Sequence, residues 1–156
     1  MAEQLKHRSE IPVRETWDLT AIFATEADFE NAFAFVKTEA ERIAQTYQGC
    51  LNSAETINRC LDDYAALMMV MEHVGNYANL AMSVDYTDSD NRQRNARMGQ
   101  AFAIASAQLS FIESEILQQL EAVIDEAIAM DGTGKHYLQD IKPVPVRSGS
   151  DGLPRL

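Results

Sequence analysis

SAETINRCLDDYAALMMVMEHVGNYANLAMSV, residues 53–84, reads as one long helix. Ile57, Leu61, Tyr64, Met68, Met71, Gly75, Ala78 and Met82 recur at alternating steps of four and three, the period of a helix packed along a long partner. Cys60, Leu67, Val74 and Ala81 widen that face. Ser53 supplies an N-cap oxygen, and Glu55 puts negative charge in the first turn, where the helix dipole favours it. Gly75 and its neighbouring alanines predict close approach of another backbone. Met68, Met69 and Met71 are read as core filling, with an adaptable binding surface as the alternative.

On the N-terminal side a second helix precedes it. Thr25 is its N-cap, Glu26 and Asp28 occupy its first turn, and Phe29, Ala32, Phe33, Val36, Ala40, Ile43 and Tyr47 give it one apolar face. Gly49 ends it where glycine is favoured. Residues 1–24 form an extended arm: Ile11 precedes Pro12, which disfavours helix there, and Trp17, Leu19, Ile22 and Phe23 cluster to anchor it. On the C-terminal side, 85–90 (DYTDSD) turns the chain and caps the next helix. It lacks the spacing, central glycine and closing Glu of a calcium loop.

A third helix carries Met98, Phe102, Ala105, Leu109, Ile112 and Ile116, flanked by Ala101, Ile104 and Phe111. Two long helices of matching period joined by a short polar turn predict an antiparallel hairpin. Leu117, Leu120, Val123, Ile124, Ala127 and Ile128 mark a shorter helix that ends near Gly132 and Gly134, and Lys135–Ile141 one or two last turns. Residues 142–156, with three prolines and two glycines, read as a disordered tail; a proline-rich ligand for an aromatic groove is the alternative. The fold class is therefore all-α: a long antiparallel hairpin with further packed helices, bundle-like, over 25–141.

Composition bounds the function. A chain of 156 residues with 46% hydrophobic content suits one globular domain. A net charge of −11 argues against nucleic acid, whose phosphates require clustered Lys and Arg. It fits a solvated cytoplasmic surface, with a cationic partner as the sharper reading. No apolar run approaches the ~20 residues of a membrane span, and Met1–Glu10 is too charged for a secretory signal. Cys60 falls on an apolar helix face and Cys50 in a connection, so neither is assigned to a disulfide or a nucleophile. Glu113 and Glu115, two apart, face different sides of their helix.

A zinc hydrolase site pairs two histidines one helical turn apart beside a Glu, with a third ligand further on. The histidines here are His7, His73 and His136, far apart in sequence. The last two are read as satisfied residues at helix-packing sites. No catalytic, cofactor-binding or metal residue is assigned.

Several strings, in order, resemble the start of oligoendopeptidase F, a zinc metallopeptidase of the thimet oligopeptidase superfamily. They are Arg8-Ser9-Glu10-Ile11-Pro12, Thr16-Trp17-Asp18-Leu19, Ile22-Phe23, Tyr47-Gln48-Gly49-Cys50-Leu51, Ser53-Ala54-Glu55-Thr56, Tyr77-Ala78-Asn79-Leu80, Asp85-Tyr86-Thr87-Asp88, Phe111-Ile112-Glu113-Ser114-Glu115-Ile116-Leu117 and His136-Tyr137-Leu138-Gln139-Asp140-Ile141. The resemblance implies a helical lobe forming one wall of a channel for short peptides. It implies zinc only in a full-length family member, on a His-Glu-x-x-His helix hundreds of residues later.

No position here matches that motif, so the expectation is a scaffold lobe, inactive alone. Its partners would be the catalytic domain of the parent peptidase, or further copies associating through exposed apolar helix faces. The departure at Lys142 reads as a truncated or frame-shifted product, or a foreign end. A freestanding helical interaction module is the alternative.

Overall fold

The computed structural model describes residues 10–12, 15 and 17–142. Six helices follow a short 3-10 turn at Leu19–Ala21: α1 Glu26–Tyr47, α2 Ala54–Val84, α3 Ser89–Leu109, α4 Phe111–Ile116, α5 Glu121–Ala129 and α6 Lys135–Ile141. No strand occurs among the described residues, and no helix among them is long and apolar enough to cross a membrane. The arm's fate before residue 10 and the expected tail at 143–156 lie outside the described residues.

The helix starts form as their sequences dictate. The Thr25 hydroxyl accepts from the Asp28 N–H at 3.2 Å while the Asp28 carboxylate accepts from the Thr25 N–H at 3.0 Å, a reciprocal cap that satisfies two otherwise orphaned donors. Ser53 accepts from the Thr56 N–H. In the α2–α3 turn, Asp85 accepts from the Thr87 and Asp88 N–H groups, and Asp88 from those of Asp90 and Asn91. Gly49 takes a positive φ of 77° after α1, which glycine adopts without strain. Both of its N–H contacts run to the Glu115 carboxylate, at 2.8 and 2.9 Å, so the α1–α2 connection is tied to α4.

Each of the three long helices packs on the other two. Contacts at both ends make α1 and α2 antiparallel: Tyr47 near the end of α1 meets Asp63 early in α2, and Tyr77 late in α2 meets Glu26. Asn91 reaches the Ala81 carbonyl, turning α3 back along α2. Arg94 and Arg97 pair with Glu26 and Glu30, so α3 runs parallel to α1. The core is continuous from Phe29, Val36 and Ile43 through Ile57, Leu67 and Val74 to Leu109, Ile116 and Leu138. Burying each large aliphatic side chain contributes about 1.5–3 kcal/mol.

The structure shifts the centre of α2's buried face. Cys60, Leu67, Val74 and Ala81 are all buried, whereas Tyr64 and Met82 are only partly covered. Two partner helices flank α2, so the row between them is the one most fully enclosed. Met71 is core, but Met68 and Met69 are 41% and 63% exposed, against the core-filling expectation.

Trp17 is 70% exposed and does not anchor the arm. Phe23 does so instead, set edge-on to Phe29 and Tyr77 with ring centroids 5.8 and 5.5 Å away. The expected unbroken third helix stops at Leu109. The Ser110 N–H and hydroxyl both bond the Ala107 carbonyl, a local side-chain bond that competes with the helical ladder. Phe111 and Ile112 then both turn inward.

Among the described residues Asn58 is the buried polar side chain of the core. Its amide donates to the Ala127 carbonyl at 2.9 Å, which fastens α5 to α2. Asp62 accepts from the Thr133 N–H just beyond. Lys142 reaches Asp125 at 2.5 Å and Glu121 at 3.0 Å, so the last described residue is fixed to α5 and is not part of a free tail.

Candidate functional site

Two cavities open along the face where α2 meets α3 and α4, and they share Met68 and Met71 in their walls. One, of about 260 Å³, lies between Tyr64 of α2, Ser106, Ser110 and Glu113 of the α3–α4 junction, and Tyr137 of α6. The other, of about 430 Å³, is shallower and wider. It has Met69, Gly75 and Phe102 as its apolar part, and Glu72, Asn76 and Asn79 along one side. Gly75 makes room for Phe102, whose ring lies 3.4 Å from where a Cβ would stand. Together they form a groove with an apolar floor, amide side chains at one end, and a carboxylate with two phenols at the other.

The charge of this groove is one-sided. Glu72 and Glu113 line it, and among the described residues no Lys or Arg does. Burial, with the Glu113 carboxylate and Tyr64 close by, pushes the Tyr137 phenol up to about 12. That phenol stays protonated at neutral pH and can donate.

Nearby arginines are engaged elsewhere. The Arg94 guanidinium pairs with Glu26 at 2.8 Å and lies over Phe29 and Tyr77. Arg97 pairs with Glu30 at 2.8 Å and lies 4.8 Å from the Phe33 ring centroid. The hydrogen bond from Arg97 holds the Glu30 carboxyl below its ordinary value of 4.5. Arg42 binds Glu39 and Asp63. Burial alone would raise the Asp63 pKa, but hydrogen bonds from Arg42 and Tyr47 outweigh it and lower it. A second groove, of about 460 Å³ between α1 and α3, is lined by Phe33, Ala34 and Ile104, with Lys37 and the Arg97–Glu30 pair on its wall.

The Ser110 hydroxyl donates to a backbone carbonyl, so no base activates it. Among the described residues no group of three or more His, Cys, Asp or Glu is placed to hold a metal ion. The described residues thus offer no ligand set that fits the zinc that the resemblance implies for a full-length family member. His73 and His136 are exposed on α2 and α6, not enclosed at packing sites; His7 lies outside the described residues. Cys60 is buried, as its helical spacing predicts, and burial pushes its thiol up to about 12. Cys50 is exposed, and both cysteines are free.

The sequence alone placed Tyr64 and Met68 on a core stripe and noted Glu113 only as facing away from Glu115. The structure bears out that divergence: Glu115 turns to Gly49 and Glu113 to Tyr137. The signal that could have marked the groove was the run of adjacent methionines. Met68 and Met69 cannot both face one core, because neighbours on a helix are turned about 100° apart.

Over 118 residues the chain is 27% identical to the chromosomal oligoendopeptidase F of Lactococcus lactis subsp. cremoris, covering 75% of this chain and 20% of that protein. This chain resembles part of oligoendopeptidase F. The plasmid-borne oligoendopeptidase F of the same organism is 25% identical over 114 residues, or 72% of this chain and 19% of the relative. An oligoendopeptidase F homolog of Lactococcus lactis subsp. lactis matches to the same extent. The chain thus spans about a fifth of the length of the curated relatives it matches. No protein-family model matches the chain, and no solved structure matches it significantly.

Proposed function

We propose that this chain is the helical scaffold of an oligoendopeptidase F-like peptidase: a wall against which short peptides lie, while zinc chemistry is supplied by residues outside this sequence. The observation that carries the reading is the similarity to oligoendopeptidase F over three quarters of the chain. The groove along α2 supports it with exposed methionines for apolar side chains, and with Asn76 and Asn79 within reach of a peptide's backbone groups. On this reading the chain binds and orients a peptide and does not cleave it. The cytoplasm is the proposed compartment, in keeping with two unpaired cysteines.

The test is a polarisation titration of the full chain with a short labelled apolar peptide and, separately, with a labelled folded protein. Saturable binding of the peptide alone is the expected result. Failure of the peptide to bind at millimolar protein would sink the proposal.

A further inference from the structure

We infer that the Glu113 end of the α2 groove is a binding site for a primary ammonium group on an apolar body, which under the peptide reading above is the α-ammonium of a short apolar peptide. Three features of the site carry this. The first is charge: Glu113 stands in the wall of the more enclosed of the two cavities, and no Lys or Arg among the described residues lines either one. An acidic, cation-free recess selects against a ligand's carboxylate and for its ammonium.

The second is the aromatic complement. Tyr64 and Tyr137 line the same recess as Glu113, and aromatic faces beside a carboxylate are a favourable setting for an ammonium ion. Tyr137 keeps its proton through the physiological range, so the anionic partner in this recess is the Glu113 carboxylate.

The third is shape. The recess walled by Tyr137 of α6 is the smaller and more enclosed, while the neighbouring cavity around Met69 and Phe102 is the more open. A ligand that enters from the open end comes to its terminus at Glu113. There the first apolar side chain meets Met68 and Met71, which belong to both cavities. A lysine side chain could also deliver an ammonium, but it would lose four methylenes' worth of rotamer freedom that an α-ammonium does not have to lose. The site therefore commits to the chain terminus.

NMR titration of the full chain with leucyl-leucinamide, its N-acetyl form, N-acetyl-leucyl-lysinamide and phenethylammonium chloride tests this. Acetylation should weaken binding about tenfold or more, as should Glu113→Gln with the unacetylated ligand, because each removes one side of a charge-assisted pair. The two losses should not add, since they delete the same interaction.

Equal affinity of the free and acetylated dipeptides would overturn the site while leaving peptide binding in place. Tighter binding of the lysine amide than of leucyl-leucinamide would assign the recess to side chains and overturn the terminus. Phenethylammonium shifting Tyr64 and Tyr137 while no peptide binds would uphold the ammonium site and remove the peptide reading. No shift from any of the four would end both. Glu113 is exposed, so the variant should fold; Tyr137→Leu, which deletes the aromatic face beside the carboxylate, is the second probe and should weaken leucyl-leucinamide binding several-fold, whereas Tyr137→Phe, which keeps the ring, should not.

Discussion

Replacing Gly134 with Ala should destabilise the protein more than any other glycine-to-alanine change on α2 to α6. Gly134 is the N-cap of α6 and has an ordinary φ of −78°, so backbone strain plays no part. The added methyl would stand 2.3 Å from Leu61 Cδ1, 2.6 Å from its Cβ and 2.9 Å from its Cγ. A rotamer change can move Cδ1 but not Cβ, which is fixed to the α2 backbone. Normal carbon contacts are about 3.5–4.0 Å, so α6 must withdraw from α2 by roughly an ångström. Overpacking of this kind costs about 1–3 kcal/mol, and the immovable Cβ puts this case near the upper end.

With a urea m-value of about 2 kcal/mol/M, the midpoint should fall by about 1 M. Gly99→Ala on α3 is the control. Nothing lies within 4 Å of its added methyl, and helix propensity should make it stabilising by about 0.5–1 kcal/mol. Leu61→Ala alone should cost about 2–5 kcal/mol, and adding Gly134→Ala on top should still destabilise, because the Leu61 Cβ, 2.6 Å from the added methyl, remains in alanine. A Gly134→Ala midpoint within about 0.2 M of wild type would refute the close α2–α6 contact.

Three further outcomes follow from the packing and the charges. Ellman's reagent at pH 8 should label Cys50 promptly and Cys60 only after denaturation, since Cys60 is buried with its thiol raised to about 12; rapid labelling of both would contradict the core. Arg94→Ala should cost about 1–2 kcal/mol by thermal melt, because the guanidinium is mostly covered, pairs with Glu26 and lies over two rings; a change under about 0.3 kcal/mol would contradict a stabilising role for that pairing.

Glu30 and Asp63 are held below their ordinary values of 4.5 and 3.8 by Arg97, and by Arg42 and Tyr47 against burial. Their contribution is whole above those values and disappears as pH falls through the lowered ones. An acid titration followed by circular dichroism should show stability lost below about pH 4, with the loss reduced in Arg97→Ala.

Much of the architecture was legible in the chain because it rests on local rules. Thr25, Ser53 and Asp88 are caps whose side chains bond the first free N–H groups, and Gly49 closes α1 at a φ that glycine tolerates. The period of Ile57, Leu61, Met71 and Ala78 placed α2 against its neighbours. What periodicity could not give was the number of neighbours. A helix between two partners buries a wider face than a hairpin partner does, and so Cys60, Leu67 and Val74 are the enclosed row.

The break at Ser110 escaped notice because the stripe keeps its phase through Leu109, Ile112 and Ile116. The groove was hidden for a different reason. Glu113 and Tyr137 are 24 positions apart (137 − 113) and meet only because α5 and α6 fold back on α2. Asn58 holds that return in place through its hydrogen bond to the Ala127 carbonyl.

The measurement that bears most directly on the account is hydrolysis of an internally quenched short peptide by the full chain of verified mass, with added zinc and without. The account predicts saturable binding of the peptide and no turnover in either condition, since no metal-ligating group of three is assembled among the described residues. Zinc-dependent cleavage abolished by a chelator would contradict it, because a site able to do the chemistry would then reside in this chain.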